Sequence, residues 1–149
     1  MADITAFPTR HTILVTDPEV ANLQTFTVAT GETVKAGMVL EIDPSSGDNT
    51  VKCGDSDDAA PVVGVALYGA TAGNPVTVAC AGTICYVANE SGSAAIGESS
   101  LLQLADVNVG GAVVAYTSGA GYVVGVALED IAAGGWGRAL IMPYEQVVS

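Results

Sequence analysis

The sequence predicts an all-β fold: a single compact β-barrel or β-sandwich with an internal two-fold sequence repeat and an extended N-terminal arm. Three observations carry that prediction. Short runs rich in Val, Ile, Thr and Tyr are punctuated by Gly, Pro, Asn and Asp at the spacing of a sandwich or barrel. No stretch has the periodicity of an amphipathic helix. The run Val62-Val63-Gly64-Val65-Ala66-Leu67 recurs letter for letter as Val123-Val124-Gly125-Val126-Ala127-Leu128.

From the N-terminus, the first thirty residues contain no glycine but hold Pro8 and Pro18, whereas all 18 glycines lie from Gly31 onward. That shift separates residues 1–30, an arm with the first strands, from a β-body spanning 31–149. The arm region supplies candidate strands Thr12–Thr16 and Gln24–Ala29. In the body the candidates are Met38–Ile42, Thr50–Cys53, Val62–Leu67, Val76–Cys80, Thr83–Ala88, Leu101–Leu104, Ala112–Tyr116, Tyr122–Leu128 and Arg138–Met142. Around Pro18–Leu23 and Glu129–Ala133 there is room for a turn or two of helix at most, because Gly134-Gly135 stops the second at once.

Two repeat units follow, about 31–83 and 92–143. Gly37 in VKAGMVL finds Gly97 in AAIGESSL, and each VVGVAL run is followed by a small-residue turn and an apolar strand, VTVAC or RALIM. Two copies are too few for a solenoid, so they are expected to share one core with pseudo-two-fold character. Each VVGVAL run is apolar on both faces, as in a central strand covered on both sides. Gly64 and Gly125 then mark a bulge or the close approach of another backbone.

A chain of 149 residues fits one domain with a real hydrophobic core. Only 13% of it is charged, about half the roughly 25% usual for soluble domains. Self-association or cover by partners is the expected consequence. Sixteen acids against four bases leave a formal charge of -12 and no basic cluster in the sequence, which excludes nucleic acid as a partner. Asp3 stands where a signal peptide would be positive, and no apolar segment follows it, so no export signal is expected. The uncharged stretches 59–89 and 107–128 are cut by turn formers such as Gly73-Asn74-Pro75 and Gly110-Gly111, which argues against a membrane span.

Reactive constellations are missing. His11 is the only histidine and lies in the arm, a poor place for the base of a Ser-His-Asp or Cys-His relay. Asp55-Ser56-Asp57-Asp58 gathers three carboxylates without the glycine and glutamate of an EF-hand loop. Cys53, Cys80 and Cys85 are odd in number, lack zinc spacing, and read as small apolar residues. Gly134-Gly135-Trp136-Gly137 and Gly119-Ala120-Gly121 match no phosphate-binding pattern. The expectation is a protein that is not an enzyme, with no cofactor and no metal. Trp136, the sole tryptophan, sits in a small-residue turn, either as an interface residue or folded back as a lid.

Taken in order, GETVKAGMVLEI, PVVGVALYGATAGNPVTVACAGTI, AAIGESSLLQL and YVVGVALEDIAAGGWGRALIMP resemble the bacteriophage capsid cement or head-decoration proteins, over residues 31–143. The resemblance implies a structural virion protein, made in the host cytoplasm, that binds the outer surface of an icosahedral capsid and bridges capsomers. Its implied partners are the major capsid protein and itself, as a homotrimer or a dimer. The arm's composition suggests a segment that lies in a groove of another subunit, which makes Ile4, Phe7, Pro8, Arg10 and Ile13, with Trp136, the candidate partner-binding residues. Two rivals stand beside this reading. One is another virion component, such as a tail or fibre subunit. The other is a biotinyl/lipoyl-like carrier domain, which GETVKAGMVLEID resembles, although neither Lys35 nor Lys52 stands at the hairpin tip such a carrier needs.

Overall fold

The computed structural model describes residues 6–43, 45, 47–54, 61–90, 92–105, 110–117 and 121–146. Among them the fold is all-β. The first half of the chain supplies β1 (Leu23–Val28), β2 (Thr33–Val34), β3 (Val39–Ile42), β4 (Thr50–Cys53), β5 (Val62–Ala66), β6 (Ala70–Thr71) and β7 (Pro75–Ala79). The second half supplies β8 (Ile84–Ala88), β9 (Leu101–Leu104), β10 (Val113–Ala115), β11 (Gly121–Ala127) and β12 (Trp136–Gln146).

Strands β1-β4-β3-β5-β7 close into a five-stranded barrel, and β10-β9-β11-β12-β8 form a five-stranded sheet. Put β4 over β10, β3 over β9, β5 over β11, β7 over β12 and β1 over β8, and the two orders coincide. The parallel pairing of β1 with β4 that closes the barrel has a counterpart in the single parallel bridge Asn89↔Val113 between the edges of the second sheet. The small ribbon β2–β6 likewise corresponds to the bridge Ile96↔Ile131. Each repeat therefore builds its own barrel-like unit, where the sequence suggested one barrel shared by both. The units begin at Leu23 and Ile84, ahead of Gly31 and Gly92, because β1 and β8 supply the strand that lies beside β7 and β12.

The repeated VVGVAL run occupies equivalent strands, β5 and β11. In both, the register shifts by a bulge, between Leu40 and Glu41 in one unit and between Val123 and Gly125 in the other. Gly64 pairs with Leu40, and Gly125 with Leu102. A Cβ on Gly64 would collide with the carbonyl oxygen of Ala79, and one on Gly125 with that of Leu140. Only glycine lets the next strand come so close. Inside the units the side chains trade volume: Ala70 and Val76 line the first where Ile131 and Gly137 line the second, which keeps the total nearly constant.

Gly37 corresponds to Ser99, two residues beyond the Gly97 expected from the sequence. Gly37 donates its N–H to Ala66 O and Ser99 donates to Ala127 O, both at 2.8 Å, and both residues have positive φ, 89° and 74°. Three other details depart from the predicted strands. Residues Thr12–Thr16 form no strand but lie along β8 through the isolated bridge Leu14↔Cys85 and a few hydrogen bonds. The ribbon strands β2 and β6 are additional. Strand β12 runs on to Gln146 through Pro143, beside the bulge in its pairing with β11, where a missing N–H is tolerated. Cores of the two units are continuous, and Trp136 is packed against both hydrophobic clusters.

Candidate interaction surface

What holds the N-terminal segment is visible residue by residue. Phe7 is 3% exposed and meets the Trp136 ring edge-on, with ring centroids 5.6 Å apart and an interplanar angle of 82°. Trp136 in turn lies over Gly37, where any Cβ would overlap its indole ring. Six residues after Phe7, Ile13 is buried at 2% exposure, and its carbonyl accepts the N–H of Tyr86 at 2.8 Å. The N–H groups of Val15 and Thr16 both point to Ile84 O, at 3.0 and 3.1 Å. Ile13 lies beside Gly37 of the first unit and bonds Tyr86 of the second, and Phe7 meets Lys35 of the first and Trp136 of the second, so the segment straps both units of its own chain.

The candidate partner-binding residues therefore divide. Phe7 and Ile13 spend their apolar surface inside the chain. Trp136 is half-buried as a lid over Gly37. Pro8, half-buried, and Arg10 stay at the surface. Ile4 lies outside the described residues, as does Asp55–Asp58.

Arg10 is fixed by two contacts: its guanidinium sits 3.5 Å from the centroid of the Tyr86 ring, and its Nε donates to Thr12 O at 2.8 Å. Such a cation–π contact contributes about 0.5–1 kcal/mol at an exposed site. Lys35 reaches the Phe7 carbonyl oxygen at 3.5 Å. Between them runs an open groove of about 240 Å³ lined by Pro8, Thr9, Arg10, His11, Lys35, Ala36 and Gly69. Gly69 also lines a shallower trough, about 520 Å³, that continues over the β2–β6 ribbon past Thr33, Val34, Thr71, Asn74 and Pro75.

The chain's other two cations are already neutralised. Lys52 lies 3.8 Å from the buried Glu41, and Arg138 Nε lies 3.1 Å from Glu129 Oε2. The backbone N–H of Arg138 also donates to that oxygen, at 2.7 Å, and these bonds hold the Glu129 carboxyl below its usual range. Among the described residues, neither Arg10 nor Lys35 has a carboxylate at ion-pair distance. The corresponding corner of the second unit has the opposite sign: Gly69 maps to Asp130 and Tyr68 to Glu129, and Asp130 accepts the N–H of Glu98 at 2.9 Å. In the sequence, Lys35 bears only on the carrier alternative and His11 only on a catalytic base. Their meeting depends on the strap folding back across 24 residues, which no local spacing signals.

Thiol chemistry has little support from the surroundings. All three cysteines are free, and burial pushes the Cys85 thiol up to about 12 and raises that of Cys80, so both stay protonated at neutral pH. Among the described residues no helix is long and apolar enough to cross a membrane.

No protein-family model matches the sequence, and no curated protein matches it. Among solved structures the chain is similar to the crystal structure of the head fiber gp8.5 N base in bacteriophage phi29, with a TM-score of 0.59 and 18% identity. The match covers 81% of this chain and 95% of that one. At this identity the likeness is one of fold.

Proposed function

We propose that the chain is a structural component of a bacteriophage virion, a non-catalytic module seated on the outside of the head in the manner of a fibre base. The observation that carries this reading is the match of nearly the whole phage head-fibre base to the doubled β-unit. Fold alone does not confer function, and the sequence adds to it: the low-charge, Gly- and Ala-rich body suits close packing against a lattice, and the order of its motifs resembles capsid-surface proteins. The major capsid protein is the partner in this reading, and further copies of the chain are the second.

The narrower role of a cement that bridges capsomers keeps the same address on the outer shell. A fibre base is favoured over it because a fibre-base fold is the one matched. Immunogold labelling of purified virions tests the proposal. Gold on the heads is expected; gold on the tails, or protein absent from virions, would contradict it. Shells lacking the protein separate the two roles: a fibre base leaves shell strength unchanged, whereas loss of a cement weakens it.

A further inference from the structure

We propose that the groove between the N-terminal strap and the β2–β6 ribbon is the docking site for an extended, carboxylate-rich segment of the capsid protein. The proposal rests on the head-surface reading above and names the face that meets the shell.

The chain has four acids for every base, so each cation would be expected to find a carboxylate of its own. Two do. The other two, Arg10 and Lys35, face one groove together with the only histidine, and among the described residues neither has a carboxylate at ion-pair distance; Glu129, within electrostatic reach of Arg10, spends its hydrogen bonds on Arg138. Both are held in place: Arg10 by the Tyr86 ring and Thr12 O, Lys35 by the Phe7 carbonyl. A cation fixed by neutral groups costs side-chain entropy without the return of an ion pair, and that return is available from an incoming carboxylate.

The shape fits a strand. Groove and trough meet at Gly69 and run along a ribbon of two short strands, β2 and β6, which pair only with each other. An extended segment laid there can bond the ribbon's outer edge through its backbone while its acidic side chains reach Arg10 and Lys35. Arg10, seated on Tyr86 of the second unit, and Lys35 of the first give the segment one anchor on each unit.

An octaglutamate peptide, titrated into the isotope-labelled full chain by NMR, reads the site directly. Shifts are expected at residues 8–11, 33–36 and 69–71, and Arg10→Glu with Lys35→Glu should weaken binding roughly tenfold or more. Arg10→Gln with Lys35→Gln removes only the charges and guards against a folding defect, which a thermal melt would reveal. No binding, or binding unaffected by either pair, overturns the proposal. Attachment of the same variants to undecorated shells tests the source. If wild type attaches and the variants do so equally well, the groove is not the capsid site. If wild type does not attach, the head-surface reading falls, and the peptide titration alone decides whether the groove takes acidic segments. A wild-type oligomer that the charge reversals dissociate would make the occupant a second copy and overturn the assignment to the capsid protein.

Discussion

The first and second units share strand order, bulge and glycine, yet they spend the same positions differently. Val65 and Val126 are equivalent, but Val65 is fully buried and Val126 only half-buried. A strict two-fold packing would bury both alike. The outer face of β5 is covered by the second unit, whereas the matching face of β11 stays partly open. Glu41, buried and within 3.8 Å of Lys52, corresponds to Gln103, a half-buried neutral residue. Duplication thus preserves the backbone plan, set by the bulge and by close strand approach, while side chains on the outer faces drift with whatever covers them. Gly69 in the first unit against Asp130 in the second is the same divergence at the surface.

The largest expected effect falls on that inequality. Val65→Asp buries an unpaired charge and should prevent soluble folding, while Val126→Asp should cost about 1–2 kcal/mol and leave a folded protein. Expression yield and denaturant midpoints read the difference; equal damage would mean that the two faces are equally covered.

Next in size is the strap. Phe7→Ala should lower stability by about 3 kcal/mol, because the ring fills a seat against Trp136 in the chain's own core. Removing residues 1–11, which composition alone marks as a dispensable arm, should destabilise the body for the same reason. An unchanged urea midpoint for either variant would return Phe7 to the role of a free anchor.

Gly64→Ala and Gly125→Ala sharpen the equivalence. Each drives a methyl into a backbone carbonyl, so each should cost about 2–3 kcal/mol, and by similar amounts. A harmless substitution at one site only would show that the bulges are not matched.

The smallest effect concerns Ser99, which holds a left-handed backbone where its counterpart is Gly37. Ser99→Gly should change stability by no more than about 1 kcal/mol, in the stabilising direction. Gly37→Ser should be clearly damaging, since its side chain would meet Trp136. Melting temperatures of the pair check both signs.

Much of this architecture could be read from the residues. Alternation and turn formers located β1, β3–β5 and β7–β12 to within a few residues, and the verbatim VVGVAL repeat pointed to equivalent core strands. The two-residue strands β2 and β6 are too short for any periodicity to mark. Pro143 hid the last part of β12 because its bulge is a property of pairing, not of the strand itself. The match of Gly37 to Gly97 failed because Ser99 adopts a conformation that glycine usually signals. Phe7 and Ile13 stood out as apolar in a glycine-free arm, but nothing local could say whether they pack on their own chain or on another. The groove was hidden for a related reason: Arg10 and Lys35 are distant in sequence, and only the strap brings them together.

The most direct test of the head-surface account is a cryo-electron microscopy map of the virion fine enough to separate the two units. The account predicts density for the doubled β-body on the outer face of the head, with the groove between strap and ribbon, Arg10 and Lys35 included, turned toward the shell. Density on the tail, or a groove facing open solvent on the head, would contradict it.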